Sequence, residues 1–462
     1  MKRIAAVLAA VLPLTLAGER AFAWEPETTQ AGLAEQAALS SRLHKRLVTL
    51  GFEGGLFEQL TVPPADAPSL IASLKLLSPS HGAVPDARGR QAALSWIAAG
   101  ASIADIPAKF GANHFYDPST KRGWAKPSRG VFASLSDMAR ESAGRAKVPE
   151  TGVPAVEWVT SKDNPFNVAG FYDQYGKAVT GATPGERSRA MAGALVAAGA
   201  LIHVLGDLGS PARVRGDAAS FFEPLGGGPD DLGSRFERVA ALAYGRLGIP
   251  APSRVITREH LRDFFTSADG TGLADVVARS YFSKNTLPSS TRVGNETKPT
   301  LARPQPALPT RLNLMAASRE DGTTLRGADG TCLARYRVEH SVLSFHLDDE
   351  CMLEQVNVLL PEVAAFETGM LDYLLRGELS IGVGPQLTVS GQGLGAGTVE
   401  VLVEDELGVR KSIGTANATA GSEQLASLPM PTTGTRVVAV FRGTDANGEP
   451  IVAVGATSLG AR

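Results

Sequence analysis

The chain has 462 residues, 44% of them hydrophobic, which is enough for a sizeable core and more than one domain. Its 45 basic and 47 acidic residues leave a net charge of −2 with no long block of either sign, so composition gives no reason to expect a nucleic-acid or anionic-membrane surface. Aromatics are scarce at 6%, while 50 Gly and 29 Pro imply long ordered loops or linkers.

The first residues read as an export signal. Lys2 and Arg3 precede an apolar stretch from Ile4 to about Ala17, and Ala21-Phe22-Ala23 forms a small-x-small cleavage site. The apolar run is shorter than the ~20 residues that cross a bilayer, and no later segment is expected to cross one. Cleavage is expected between Ala23 and Trp24, giving a protein exported to the periplasm, the cell surface or the medium.

From Thr29 to about Phe282 the pattern is mainly helical. Leu33, Ala37, Leu43 and Leu47 recur at helical spacing, as do Ala92, Ala93, Trp96 and Ile97. Thr183-Pro184-Gly185-Glu186 combines an N-cap Thr, a Pro at the first helical position and a Glu that closes a capping box. The helix it opens should run through Leu195, Ala198, Ile202 and Leu205, with Gly and Ala positions that admit close neighbours. Further helices are expected over 232–247 and 258–265. Residues 283–330 carry Pro288, Pro299, Pro304, Pro306 and Pro309 among polar residues and read as a linker or irregular wrap.

Two cysteines, Cys332 and Cys351, in an exported chain favour one disulfide over two free thiols. Tyr336, Val338, Val342 and Phe345 suggest a short hairpin between them. Helical spacing returns over 352–375, with a break expected near Pro361. From about Glu378 the pattern is β, and Asn447-Gly448 between two apolar runs is a hairpin signal. The fold class expected is therefore mainly α: a 1–23 signal peptide, a helical domain over 24–285, a disulfide-bearing connector over 286–377 and a small sandwich-like all-β domain over 378–462.

Of the seven histidines, His44, His81, His260, His340 and His346 have no metal-like spacing. His203 and Asp207 stand at i and i+4 and project from one face of the expected helix. A carboxylate inside so apolar a helix is costly unless it is ion-paired or bound to a cation, and both readings stay open. Asp105 precedes His114 by nine residues across an expected loop. Two Asp and two His from two segments suffice for one tetrahedral site.

These residues sit in runs with a known look. Thr28-Thr29-Gln30-Ala31-Gly32-Leu33, Asn113-His114-Phe115-Tyr116-Asp117-Pro118 and His203-Val204-Leu205-Gly206-Asp207-Leu208-Gly209-Ser210-Pro211, behind a cut that exposes Trp24, resemble the zinc-dependent phospholipase C family, whose fold is shared with the single-strand-specific zinc nucleases. The resemblance covers about 24–282 and implies a helical bundle that hydrolyses phosphodiesters at a three-zinc cluster. It assigns Asp105, His114, His203 and Asp207 to the most enclosed zinc, Trp24 to a second through its amine and carbonyl, and Glu237 to a third.

The departures are as informative. Where the family has His, this chain has Gln30, Arg213 and Gly233. Two metals thus lose their main ligands, and zinc is expected in fewer than three copies. Arg213, and with it Arg215, offers a fixed cation in a lost metal's place, pairing with Glu237. Two functions follow. The first is an exported metal-dependent phosphodiesterase acting on a phospholipid or other phosphodiester, with Asp207 on the metal and Arg213 stabilising charge on the phosphoryl oxygens. The alternative is an inactive relative with one structural metal or none, acting in binding or adhesion. No Gly-x-Ser-x-Gly elbow is present, which argues against a serine hydrolase.

Overall fold

The Thr183–Glu186 start folds as its chemistry dictates. In the computed structural model Thr183 Oγ1 accepts from the Glu186 N–H and the Glu186 carboxylate accepts from the Thr183 N–H, opening a 23-residue helix, Pro184–Gly206. The structure describes residues 24–74, 84–127, 149–225, 232–293, 306 and 312–459. The expected signal peptide and His81 lie outside these.

The helical body includes α1 (Ala31–Ser40), α2 (Leu43–Leu50), α3 (Ala93–Ile103), α4 (Val168–Thr180), α5 (Pro184–Gly206), α6 (Arg235–Ala243) and α7 (Asp349–Leu374). Helix α5 is the hub, buried along nearly all its length between α3, α4 and α7. It approaches α3 so closely that a Cβ on Gly199 would lie 2.0 Å from the Ile97 carbonyl oxygen, and one on Gly100 2.1 Å from that of Val196. Only glycine allows this approach. Together with the turn after it, α5 is long and apolar enough to cross a membrane, contrary to the expectation that no such segment exists; yet 94% of its most apolar stretch is buried inside the molecule, which explains the composition.

Three elements differ from expectation. Pro361 does not break its helix: α7 runs unbroken through it. Its missing N–H costs about 3 kcal/mol, and burial of Val356, Leu359, Leu360 and Val363 along the same helix offsets that cost. The helix expected over 232–247 is shortened to α6, because Ser234 caps it through the Glu237 N–H. The helix expected over 258–265 shortens to Leu261–Phe265.

The fold class is corrected as well. Among the described residues the fold is mixed rather than mainly α, with 41% helix, 24% strand and five small sheets. Two sheets are two-stranded pairs within the helical part, 59–61 with 90–92 and 223–224 with 232–233, too short for a period-2 signal. A third is built on β1 (Thr323–Arg326), β2 (Cys332–Glu339) and β3 (Val342–His346), with Thr291–Arg292 at its edge. In the β2–β3 hairpin Tyr336 faces Phe345 and Val338 faces Leu343. A Cys332–Cys351 disulfide ties β2 to the first turn of α7.

The C-terminal region forms two facing sheets. One has the order β8-β5-β4 and the other β7-β6-β9-β10, with β4 (Leu379–Val383), β5 (Gln386–Gly391), β6 (Leu394–Glu404), β7 (Arg410–Ala418), β8 (Gln424–Pro429), β9 (Arg436–Asp445) and β10 (Pro450–Ser458). Between them lies a core of Leu387, Val389, Val399, Val401, Val437, Ala439 and Phe441. The outer face of the four-stranded sheet is not solvated. Leu402, Val438, Val440, Val452 and Val454 join the main helical core.

Candidate metal centre

The turn after α3 carries Asp105, and a 3-10 turn, Ala108–Asn113, delivers His114 at its C-terminal end. The last turn of α5 carries His203, and Asp207 caps that helix. All four side chains are 0–1% exposed. His114, His203 and Asp207 place ligand atoms within 4.8 Å of one another. Asp105 lies alongside, electrostatically coupled to His203 and Asp207 but outside that group.

Asp207 is the focus. Its Oδ2 lies 2.8 Å from His114 Nδ1, 3.2 Å from His203 Nε2 and 3.4 Å from Arg213 Nη1, and its Oδ1 accepts from Gln30 Nε2 at 2.7 Å. Burial alone would raise the Asp207 pKa, but Arg213 and the two histidines overcome it and hold the carboxyl far below the usual range. Burial pushes His114 down to about 4 against the pull of Asp207. It also works against protonation of His203, yet Asp207 and Asp105 raise that histidine above its ordinary value. Asp105 is raised to about 6, chiefly by burial, with His203 opposing.

The donor set fits a metal ion. His203 Nδ1 lies 2.5 Å from the Ala101 carbonyl oxygen, which can only accept, so Nδ1 carries the hydrogen. His203 Nε2 then faces a carboxylate oxygen, and two lone pairs do not face each other at 3.2 Å. Either a proton or a metal ion lies between them. A carbonyl fixing the far nitrogen is the usual support of a metal-bound histidine. Zinc at about 2.0–2.1 Å from N and O ligands holds them roughly 3.3 Å apart in a tetrahedral site; His203 Nε2 and Asp207 Oδ2 already lie at that spacing, and His114 Nδ1 and Asp207 Oδ2 would separate by about half an ångström. His203 Nε2 and both Asp105 oxygens are buried without a hydrogen-bond partner among the described residues, a polar demand that a metal-free cluster leaves unmet.

Arg213 is fully buried. Its Nε donates to Glu237 Oε1 at 2.9 Å, and its guanidinium lies 4.8 Å from the Phe115 ring and 4.9 Å from the Phe221 ring. It bridges Asp207 and Glu237, the geometry expected of a fixed cation in a metal's place. Burial raises the Glu237 pKa, against the charge of Arg213. Arg215 is directed elsewhere, donating to Thr286 Oγ1 and to the Ala278 carbonyl. Trp24 is buried too; its indole N–H donates to the Gly206 carbonyl at 3.1 Å and its ring lies 5.6 Å from Phe236.

Two participants were not singled out by sequence. Gln30, noted there only as a lost histidine, donates to Asp207. Glu367 on α7 is wholly buried against Gly206, with its pKa raised well above the ordinary value by burial and by Asp207. Next to the centre a cavity of about 20 Å³, room for about one water, is lined by Pro211, Ala212, Ser234 and Phe236 among others, and by none of the metal-binding side chains. Comparison of the chain with protein-family models, curated proteins and solved structures gives no match. The family resemblance therefore rests on the motifs alone.

Proposed function

We propose that this chain is an exported, phospholipase C-like protein in which one divalent cation, zinc by its ligand types, braces a buried core and hydrolyses no phosphodiester. His114, His203 and Asp207 hold the ion, and Asp105 balances its charge. The reading rests on one observation above all: Arg213 lies between Asp207 and Glu237, fully buried, with the rings of Phe115 and Phe221 packed beside its guanidinium. A guanidinium held in this way answers the two carboxylates without a second metal. It also has no route to a phosphoryl oxygen in solution, which removes the catalytic role that Arg213 and Asp207 would share. With Gln30 supplying an amide donor where the family has an imidazole, two of the three lost imidazoles, at positions 30 and 213, are replaced by metal-free partners of Asp207. The chain then acts by contact, as a binding or adhesion protein.

A hydrolase reading draws on a different observation. Three ligands leave a fourth position open, as catalytic zinc sites do. When bound, the ion would supply Lewis acidity to water or a phosphoryl oxygen. Activity of the mature, zinc-loaded protein on bis-p-nitrophenyl phosphate separates the two. Our reading expects no turnover above that of the His203→Ala variant. Turnover that His203→Ala abolishes would overturn it.

A further inference from the structure

A buried carboxyl group without a partner is costly, and natural chains seldom keep one. Glu367 is such a group: it is 0% exposed, and neither carboxyl oxygen has a hydrogen-bond partner among the described residues. It packs against the end of α5, where a Cβ on Gly206 would lie 2.1 Å from its Oε1. Asp207, the next residue, adds only negative charge, and the donors around Asp207 (Gln30, His114, His203 and Arg213) are directed at that carboxylate. Ionised, Glu367 would need a cation beside it.

Trp24 meets the same stretch of chain. Its indole N–H donates to the carbonyl of Gly206, and both Trp24 and Val363, one turn before Glu367, lie over Gly209. The turn that follows, Pro26–Gln30, also contains buried oxygens without donors: Thr28 Oγ1, Thr29 Oγ1 and Gln30 Oε1. Removal of residues 1–23 would create a positive charge with three N–H donors at Trp24.

We propose that Glu367 is the internal counter-ion of the mature N-terminus: cutting before Trp24 creates an α-ammonium that folds back onto the Glu367 carboxylate and locks α7 against the end of α5. The proposal rests on the export reading and not on the metal. The cut forms one carboxylate, which leaves with the signal peptide, and one ammonium, which stays; Glu367 gives up its proton to solvent as the pair forms.

The test uses four full-length mature proteins, beginning at Trp24 or retaining Ala23, each with Glu367 or Glu367→Gln. Melting temperature is read together with the rate of α-amine acylation at pH 7, followed by mass of the N-terminal peptide. Retaining Ala23 moves the amine by ~3.8 Å. It should lower the melting temperature by several degrees and speed acylation roughly ten-fold, the effect of about one pKa unit. Glu367→Gln should do the same, and the two changes together should be no worse than either alone. Additive losses would overturn the proposal, as would a neutral or stabilising Glu367→Gln, the result for a protonated acid with no cation. A metal ion lost with Glu367→Gln, or an exported N-terminus other than Trp24, would also overturn it. If the Gln variant does not fold, equal acylation rates in the two Glu367 proteins suffice to do so. Zinc content at His203 should be equal in all four, so failure here leaves the metal reading standing.

Discussion

Four side chains donate to or pair with the Asp207 carboxylate, so the cost of removing any one depends on what is left unpaired. Arg213 matters most, because it answers two buried carboxylates. Arg213→Met should destabilise the fold by about 3–5 kcal/mol, the usual cost of breaking a buried ion pair. Arg213→Lys should recover little, since a point charge neither bridges two carboxylates nor packs its plane against aromatic rings; denaturant unfolding would measure both. Protonation makes a second prediction for the metal-free protein. The Asp105 pKa is raised from 3.8 to about 6, so its contribution is present at low pH and lost as pH rises through that window. The His114 pKa is lowered from 6.5 to about 4, so its contribution is present above 6.5 and lost as pH falls through its own window. The two oppose each other. Asp105→Asn should uncover the histidine, so that stability falls by about 3 kcal/mol more than in the parent between pH 6.5 and 4, measured by urea unfolding with chelator present. Much of this was legible in sequence, because His203 and Asp207 at i and i+4, with His114 in its Asn-His-Phe run, use residue types and a spacing that suit a metal site or a buried ion pair. Glu367 was not legible. A lone Glu in a helix reads as solvated, and only the docking of α7 onto Gly206 shows otherwise.

At the scale of elements, the contact between α3 and α5 sets the centre. It carries the Ala101 carbonyl to His203 Nδ1, and it exists because Gly100 and Gly199 lack a Cβ. Gly199→Ala should therefore force the helices apart and cost about 1–3 kcal/mol. It should also weaken metal binding although it touches no ligand; melting temperature and zinc retained after dialysis would show both. The sequence displayed the small residues of α5 and its capping box, so the helix and its close neighbours were readable. The continuity of α7 was not, because Pro361 is a correct local stop signal that packing of both flanking turns overrides. The short strand pairs were invisible for a related reason: two or three residues carry no periodicity.

At the scale of the molecule, the C-terminal strands are bound into the helical body. Arg410 donates to the carbonyls of Val179 and Leu50 at the ends of α4 and α2 and pairs with Glu404, while Leu402, Val438 and Val454 complete the main core. Arg410→Ala should cost about 2–4 kcal/mol through the buried acceptors it leaves unmade and speed limited proteolysis of the whole chain, not of the sandwich alone. Apolar runs around the Asn447-Gly448 turn made these strands readable, whereas the docking was not, since it depends on which face of β9 and β10 meets α4. The central claim concerns the one cation. Elemental analysis of the mature protein after dialysis should find one tightly held divalent ion per chain, absent from His203→Ala. Two or more ions per chain, or none, would contradict it.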